Sequence, residues 1–382
     1  MPDINRLLQC PPQSFFLLGP RGTGKSTWLR HVLPQAKVFN LLDESLFQAC
    51  LADPGRFADE LRPLAPDSWV VVDEVQRLPS LLNEVHRLIE ERHLRFALCG
   101  SSARKLRRGG VNLLAGRALR RTMHPFMPVE LGERYDVEAV LRYGSLPLVW
   151  ANSEPREVLL AYAQMYLKEE IQAEALVRSL PGFARFLPVA AVCHGQTVNV
   201  SNLARDTGAA RTTVVGYLDI LEETLLAFRL PAYEARLRVR ERRHPKLYWA
   251  DPGLVRAVKK QLGEVTVEER GALFEGLVAG LLRAHQDYGG LYDELGYWAS
   301  PGGGEVDFLL CRGGKIIAVE AKAGARFTDD WARGLRTIGA LPGLVRRVIV
   351  CPAGPSLQTR DGIDVLPFLE FAGQVSAGRL WP

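Results

Sequence analysis

The sequence lacks any C-x-x-C pair, and its six cysteines (Cys10, Cys50, Cys99, Cys193, Cys311 and Cys351) have no companion histidines at zinc-ligand spacing. That excludes a sequence-evident zinc finger and points to reduced, mostly buried thiols in a cytoplasmic protein. No stretch approaches the roughly 20 uninterrupted apolar residues of a membrane span. Asp3, Pro11 and Pro12 interrupt the region where a signal peptide would need a clean apolar run. Arginine is plentiful and unevenly placed. The net charge is only +5, but clustered guanidinium groups suit phosphate partners. With 382 residues, 47% of them hydrophobic, the chain can form two or three domains with real cores.

The strongest motif is Gly19-Pro20-Arg21-Gly22-Thr23-Gly24-Lys25-Ser26, which spells G-x-x-x-x-G-K-S. An apolar run, Phe15–Leu18, feeds into it, and a helix can open at Ser26-Thr27. Glycines let backbone N–H groups curl around a phosphate, and the helix N-terminus adds partial positive charge. Lys25 would reach the β- and γ-phosphates of ATP and Ser26 would ligand Mg²⁺, with Thr27 completing the nucleotide-binding set. A second apolar run, Trp69–Val72, ends in Asp73-Glu74. Asp73 would hold Mg²⁺, and Glu74 would orient and deprotonate the attacking water.

Leu81, Leu82, Val85, Leu88 and Ile89 recur at helical spacing, and Arg95–Cys99 follows as another apolar strand. Ser101, just beyond that strand, is the candidate contact to the γ-phosphate. Arg104, Lys105, Arg107, Arg108, Arg117, Arg120 and Arg121 then form a run without an acid. Such a run faces a polyanion or lends an arginine finger to a neighbouring subunit, and Arg117 is the candidate finger.

Gly19–Ser26, Val72-Asp73-Glu74-Val75-Gln76, Gly100-Ser101-Ser102-Ala103-Arg104 and Leu114-Ala115-Gly116-Arg117 together resemble a bacterial family of AAA-type P-loop ATPases. The resemblance implies a parallel α/β core of the ASCE class, with the acidic strand lying between the P-loop strand and its neighbour. It also implies assembly into a ring, a homohexamer. Cys99 stands where a hydroxyl residue is expected.

Farther on, Asn199–Gly208 reads as a capped helix and turn, and Ala210–Leu221 as a second amphipathic helix. With the strand Leu225–Pro231 this suggests a winged-helix module. Arg211 would lie on its leading face, and Arg236, Arg238 and Arg240 alternate along one face of a wing, as contact with a DNA backbone requires. The segment Pro245–Leu254 reads as packing and turn, with Asp251 capping a helix from Pro252.

The C-terminal part carries a second signature. Strands Gly304–Cys311 and Ile316–Lys322 flank a Gly313-Gly314 turn. Pairing about that turn sets Asp307 opposite Glu320 and Glu305 opposite Lys322. Two facing carboxylates repel unless a cation such as Mg²⁺ or Mn²⁺ lies between them. Glu275 lies on the apolar stripe of a helix with Val278, Ala279 and Leu282, and a buried acid there needs a partner. A helix over 327–338 and a strand over 345–351 would complete an αβββαβ core. D-x(12)-E-x-K resembles the restriction-endonuclease-like nucleases. That resemblance implies Glu275, Asp307 and Glu320 as metal ligands and Lys322 as the catalytic lysine.

The expected organisation is an ATPase core over 1–130, a helical lid over 131–182, a winged helix over 183–255 and a nuclease-like domain over 265–382. The function expected is that of an ATP-hydrolysing, DNA-binding motor or switch coupled to a metal-dependent DNA nuclease domain, acting on duplex or branched DNA. Two rivals stand beside it: a nucleotide switch in signalling or defence, and a nuclease-like domain that only binds DNA or a partner.

Overall fold

A computed structural model describes residues 4–101, 114, 116–166, 179–233, 244–300 and 304–382. The chain divides into two compact units, Asn5–Pro125 with Glu223–Leu225, and Met1–Ile4 with Phe126–Glu222 and Leu226–Pro382. Arg236, Arg238, Arg240 and the basic residues from Arg104 to Arg108 lie outside the described residues.

The first unit is built on a parallel sheet. Its strands are β1 (Phe15–Leu18), β2 (Lys37–Asn40), β3 (Trp69–Asp73), β4 (Arg95–Gly100) and β5 (Leu119–Thr122), in the order β2-β3-β4-β1-β5. Short apolar runs such as β1, buried at every position, suit a sheet covered on both faces. The helix Leu81–Arg92 buries Leu81, Leu82, Val85 and Leu88 in the same cluster as Val70, Val72, Phe96 and Leu98. The order corrects one expectation. β4, not β3, lies beside the P-loop strand, with Phe15 opposite Ala97, and β3 pairs on the far side of β4. Ser101 therefore follows a strand that runs between the loop strand and the acidic strand.

In the second unit the helices Val200–Thr207 and Arg211–Glu223 follow strand β6 (Gln196–Thr197). Asn199 caps the first by accepting from Ser201 and Asn202 N–H, and Gly208 ends it at φ 64°. Strands β7 (Ala227–Leu230) and β8 (Lys246–Trp249) pair antiparallel, in the order β6-β8-β7. Lys246–Trp249 is thus a fully buried strand rather than a turn. Asp251 does cap the helix Pro252–Lys259, accepting from Leu254 N–H at 3.2 Å.

The long helix Val267–Gly289 then precedes a six-stranded sheet. Its strands are β9 (Glu294–Ala299), β10 (Glu305–Arg312), β11 (Lys315–Ala321), β12 (Leu344–Cys351), β13 (Leu357–Gln358) and β14 (Asp364–Pro367). The order is β13-β14-β12-β11-β10-β9. The hairpin β10–β11 has the expected register, Phe308 opposite Val319 through Arg312 opposite Lys315. Gly313 and Gly314 have φ of 54° and 78°, the left-handed pair that a tight two-residue hairpin turn demands. The helix expected over 327–338 is shorter: a 3-10 turn, Asp329–Ala332, leads into Arg333–Thr337. Gly334 lets this segment close on β10, because a Cβ there would sit 2.0 Å from the Glu305 carbonyl oxygen.

Candidate functional site

The loop between β1 and the helix Lys25–Val32 is tightly bound. Gly22 and Gly24 have φ of 82° and 84°, and a Cβ on Gly19 would sit 2.4 Å from the Met123 carbonyl oxygen. The Thr23 hydroxyl donates to Pro20 O at 2.8 Å, and Arg6 donates to Thr23 O at 2.8 Å. Lys25 is buried and donates to the carbonyls of Gly19 at 2.8 Å and Pro20 at 3.0 Å. Ser26 and Asp73 line one cavity of about 310 Å³, with Leu29, Asn40 and Val71 among its walls. A hydroxyl and a carboxylate on one cavity, beside a buried lysine, are a donor set suited to the Mg²⁺ of a nucleotide.

At the end of β3, Glu74 takes the left-handed conformation, φ 57°. Its carboxylate accepts from Gln76 Nε2 at 2.6 Å, and the same nitrogen donates to Ser101 Oγ at 3.2 Å. Cys99 is a fully buried thiol held well above its ordinary pKa by burial and by nearby Asp73. Arg117 pairs with Glu90 of its own chain. Arg211 is exposed at the start of its helix.

The second group lies in the C-terminal sheet. β10 carries an extra residue relative to β9 between Val306 and Leu309, a bulge of the kind that re-aims a side chain, and Asp307 sits in it. Asp307 accepts from Ala321 N–H at 2.9 Å and donates its own N–H to Glu320 at 3.3 Å. Lys322 pairs with Glu320 at 2.7 Å. Lys246 is the member that the sequence reading missed. Its ammonium, 4% exposed, reaches Glu275 at 2.8 Å and Asp307 at 3.3 Å, and it also pairs with Glu305. Tyr248, two residues on, donates to Glu275. The expected pairing of Glu305 with Lys322 is thus replaced by Glu305–Lys246 and Glu320–Lys322.

The structure brings Glu275, Asp307 and Glu320 of the expected metal set together with two lysines, Lys246 and Lys322. Among the described residues no three His, Cys, Asp or Glu side chains form a metal-holding group. Glu275 and Asp307 share the Lys246 ammonium. Burial works against the charge on Lys246, but Asp307, Glu275 and Glu305 outweigh it and raise its pKa above the usual lysine value. Burial, then Asp307, pushes Glu275 up to about 7 and Glu320 up to about 8. A lysine opening a strand otherwise made of Leu, Tyr and Trp was the available signal: fully buried, it must find acids.

Comparison with known proteins bears on the first unit most directly. Residues 12–131 match the family described as an AAA domain. This supports an AAA-type, ATP-binding P-loop ATPase unit. Residues 134–264 and 270–371 match two domains of unknown function, DUF8612 and DUF4143. An uncharacterized protein of Mycobacterium tuberculosis, Rv2008c, is 27% identical over 360 residues, covering 92% of this chain and 79% of that one. Its Mycobacterium bovis counterpart, Mb2031c, has the same values. Protein VC1899 from Vibrio cholerae is 15% identical, with 96% of each chain covered and a TM-score of 0.23. A Signal Transduction ATPase with Numerous Domains from Pyrococcus horikoshii is 10% identical, with a TM-score of 0.23 over 71% of this chain and 43% of that one. Neither structural likeness is close enough to inform function. No helix among the described residues is long and apolar enough to cross a membrane.

Proposed function

We propose that this chain is an ATP-hydrolysing switch that acts on DNA, with a nuclease-like C-terminal domain that holds its substrate or a partner rather than cutting it. The observation that carries the ATPase reading is the cavity shared by Ser26 and Asp73 beside the buried Lys25. Mg²⁺, when bound with ATP, would neutralise phosphate charge and be held by Ser26 and Asp73. The backbone of Gly19–Thr23 would cradle the phosphates, Lys25 would turn from the carbonyls of Gly19 and Pro20 to a phosphate oxygen, and Glu74 would orient water. Lys25→Ala should abolish ATP turnover; turnover equal to that of the parent would overturn the assignment.

Lys246 favours holding over cutting, because its ammonium already answers the charge of Glu275, Glu305 and Asp307. DNA is read from Arg211 and from the arginine row at 236, 238 and 240, whose alternation suits a phosphate backbone. Ring assembly, hexameric by the AAA resemblance, would bring Arg117 to a neighbour's nucleotide once it leaves Glu90. Linear, single-stranded and four-way-junction DNA should be bound but left intact in Mg²⁺ or Mn²⁺. Cleavage that Asp307→Ala abolishes would establish the nuclease reading instead, with Glu275, Asp307, Glu320 and Lys322 as its residues.

A further inference from the structure

We propose that Gln76 is the positioning residue that ties the Glu74 carboxylate to Ser101, so that contact of a γ-phosphate with Ser101 is passed to the water-orienting acid. The inference rests on the ATPase reading above. The amide of Gln76 spends one N–H on Glu74 Oε2 at 2.6 Å and the other on Ser101 Oγ at 3.2 Å. The reverse amide orientation would set an oxygen against the Glu74 carboxylate, so electrostatics fix the assignment. Ser101 uses its oxygen as the acceptor, which leaves its proton to be donated to an anion.

Two further features converge on this contact. Gln76 is 5% exposed, and its Oε1 meets no donor among the described residues. An orphaned buried acceptor is a cost that a side chain kept only for packing would not impose, since an apolar residue of similar size would fill the space without it. Gly100 makes the room: a Cβ there would lie 2.3 Å from that same Oε1. Glu74 itself is in the left-handed region, uncommon for a residue with a side chain, and its direction is fixed by the turn Val75–Arg77 that follows. A strained acid, a two-pronged amide and a cleared glycine thus meet between the ends of β3 and β4.

The test uses the full chain, with fluorescent ADP and a γ-thio ATP analogue for affinity and steady-state hydrolysis for turnover. Gln76→Ala should bind ADP within about twofold of the parent, lose roughly tenfold in preference for the ATP analogue over ADP, and lose about 10- to 100-fold in kcat at nearly unchanged KM. Gln76→Glu sets a second carboxylate against Glu74 and removes the donor to Ser101 Oγ. Its kcat and its preference for the ATP analogue over ADP should fall as in Gln76→Ala, with ADP affinity near that of the parent. Because this variant keeps the side-chain shape, it remains decisive if Gln76→Ala folds poorly. Parental kcat and analogue preference in either variant would overturn the inference. Turnover that survives Lys25→Ala would instead overturn the ATPase reading beneath it.

Discussion

Lys246 on β8 donates to Glu275 of the long helix at 2.8 Å and to Asp307 on β10 at 3.3 Å, so one ammonium joins three elements. Removing it should strand buried carboxylates. Lys246→Met is expected to cost about 3–5 kcal/mol near pH 8, and less near pH 5, where Glu275 is protonated. Urea unfolding at the two pH values measures this. Millimolar Mn²⁺ should recover part of the loss in Lys246→Met and leave the parent unchanged. A parent stabilised by Mn²⁺, with the gain removed by Asp307→Asn, would show that the lysine does not hold that place.

The same cluster sets a pH dependence with a definite sign. Glu275 and Glu320 titrate near 7 and 8 in the folded chain, above the ordinary 4.5. The folded state therefore binds more protons across that window, and the stability present below about pH 4.5 is lost as pH rises through about 7 and 8. Glu320→Gln cannot titrate. Its unfolding free energy should fall less than the parent's between about pH 5 and about pH 9, by on the order of 1–3 kcal/mol. Parallel curves would contradict the cluster's electrostatics.

Replacing glycine inside a helix by alanine usually stabilises by about 1 kcal/mol. Gly276, in the middle of Val267–Gly289, should do the reverse. An added Cβ would lie 2.1 Å from Nε2 of His194, whose Nδ1 accepts from Trp249 N–H at 3.1 Å. Gly276→Ala should lose about 1–3 kcal/mol by calorimetry, whereas Gly280→Ala, which meets nothing within 4 Å, should be neutral or gain.

Much of both sites was readable before any coordinates. The P-loop and Asp73-Glu74 are contiguous motifs whose flanks name their elements. The hairpin register followed from a two-residue glycine turn, and Glu275 from an acid on an apolar stripe. The order of parallel strands was not readable, because a crossover leaves no local mark and β4 slips between β1 and β3 without changing either run. Lys246 was missed because its three acids come from elements 29 to 61 residues away. The helix near 333 was overestimated because periodicity cannot register the close approach that Gly334 makes to Glu305.

Gly100→Ala probes the nucleotide unit through packing. Its Cβ would press on Gln76 Oε1, with an expected cost of about 1–3 kcal/mol. Gly100→Ala combined with Gln76→Ala should recover most of that cost, giving a coupling energy of about 1 kcal/mol or more in a double-mutant cycle. Strictly additive losses would mean that the two residues do not share the space.

The Gly313-Gly314 turn makes the meeting of Asp307 with Glu320 an all-or-none event. Side chains alternate faces along a strand, so a slip of one position on either side of the turn would send Asp307 and Glu320 to opposite faces of the sheet. Each acid would then lose the other's backbone contacts, and Lys246 would keep Glu275 but lose Asp307. Two glycines about 20 Å of chain away from the acids thus act as a proofreader, because a hairpin closed in the wrong frame leaves Asp307 and Glu320 apart.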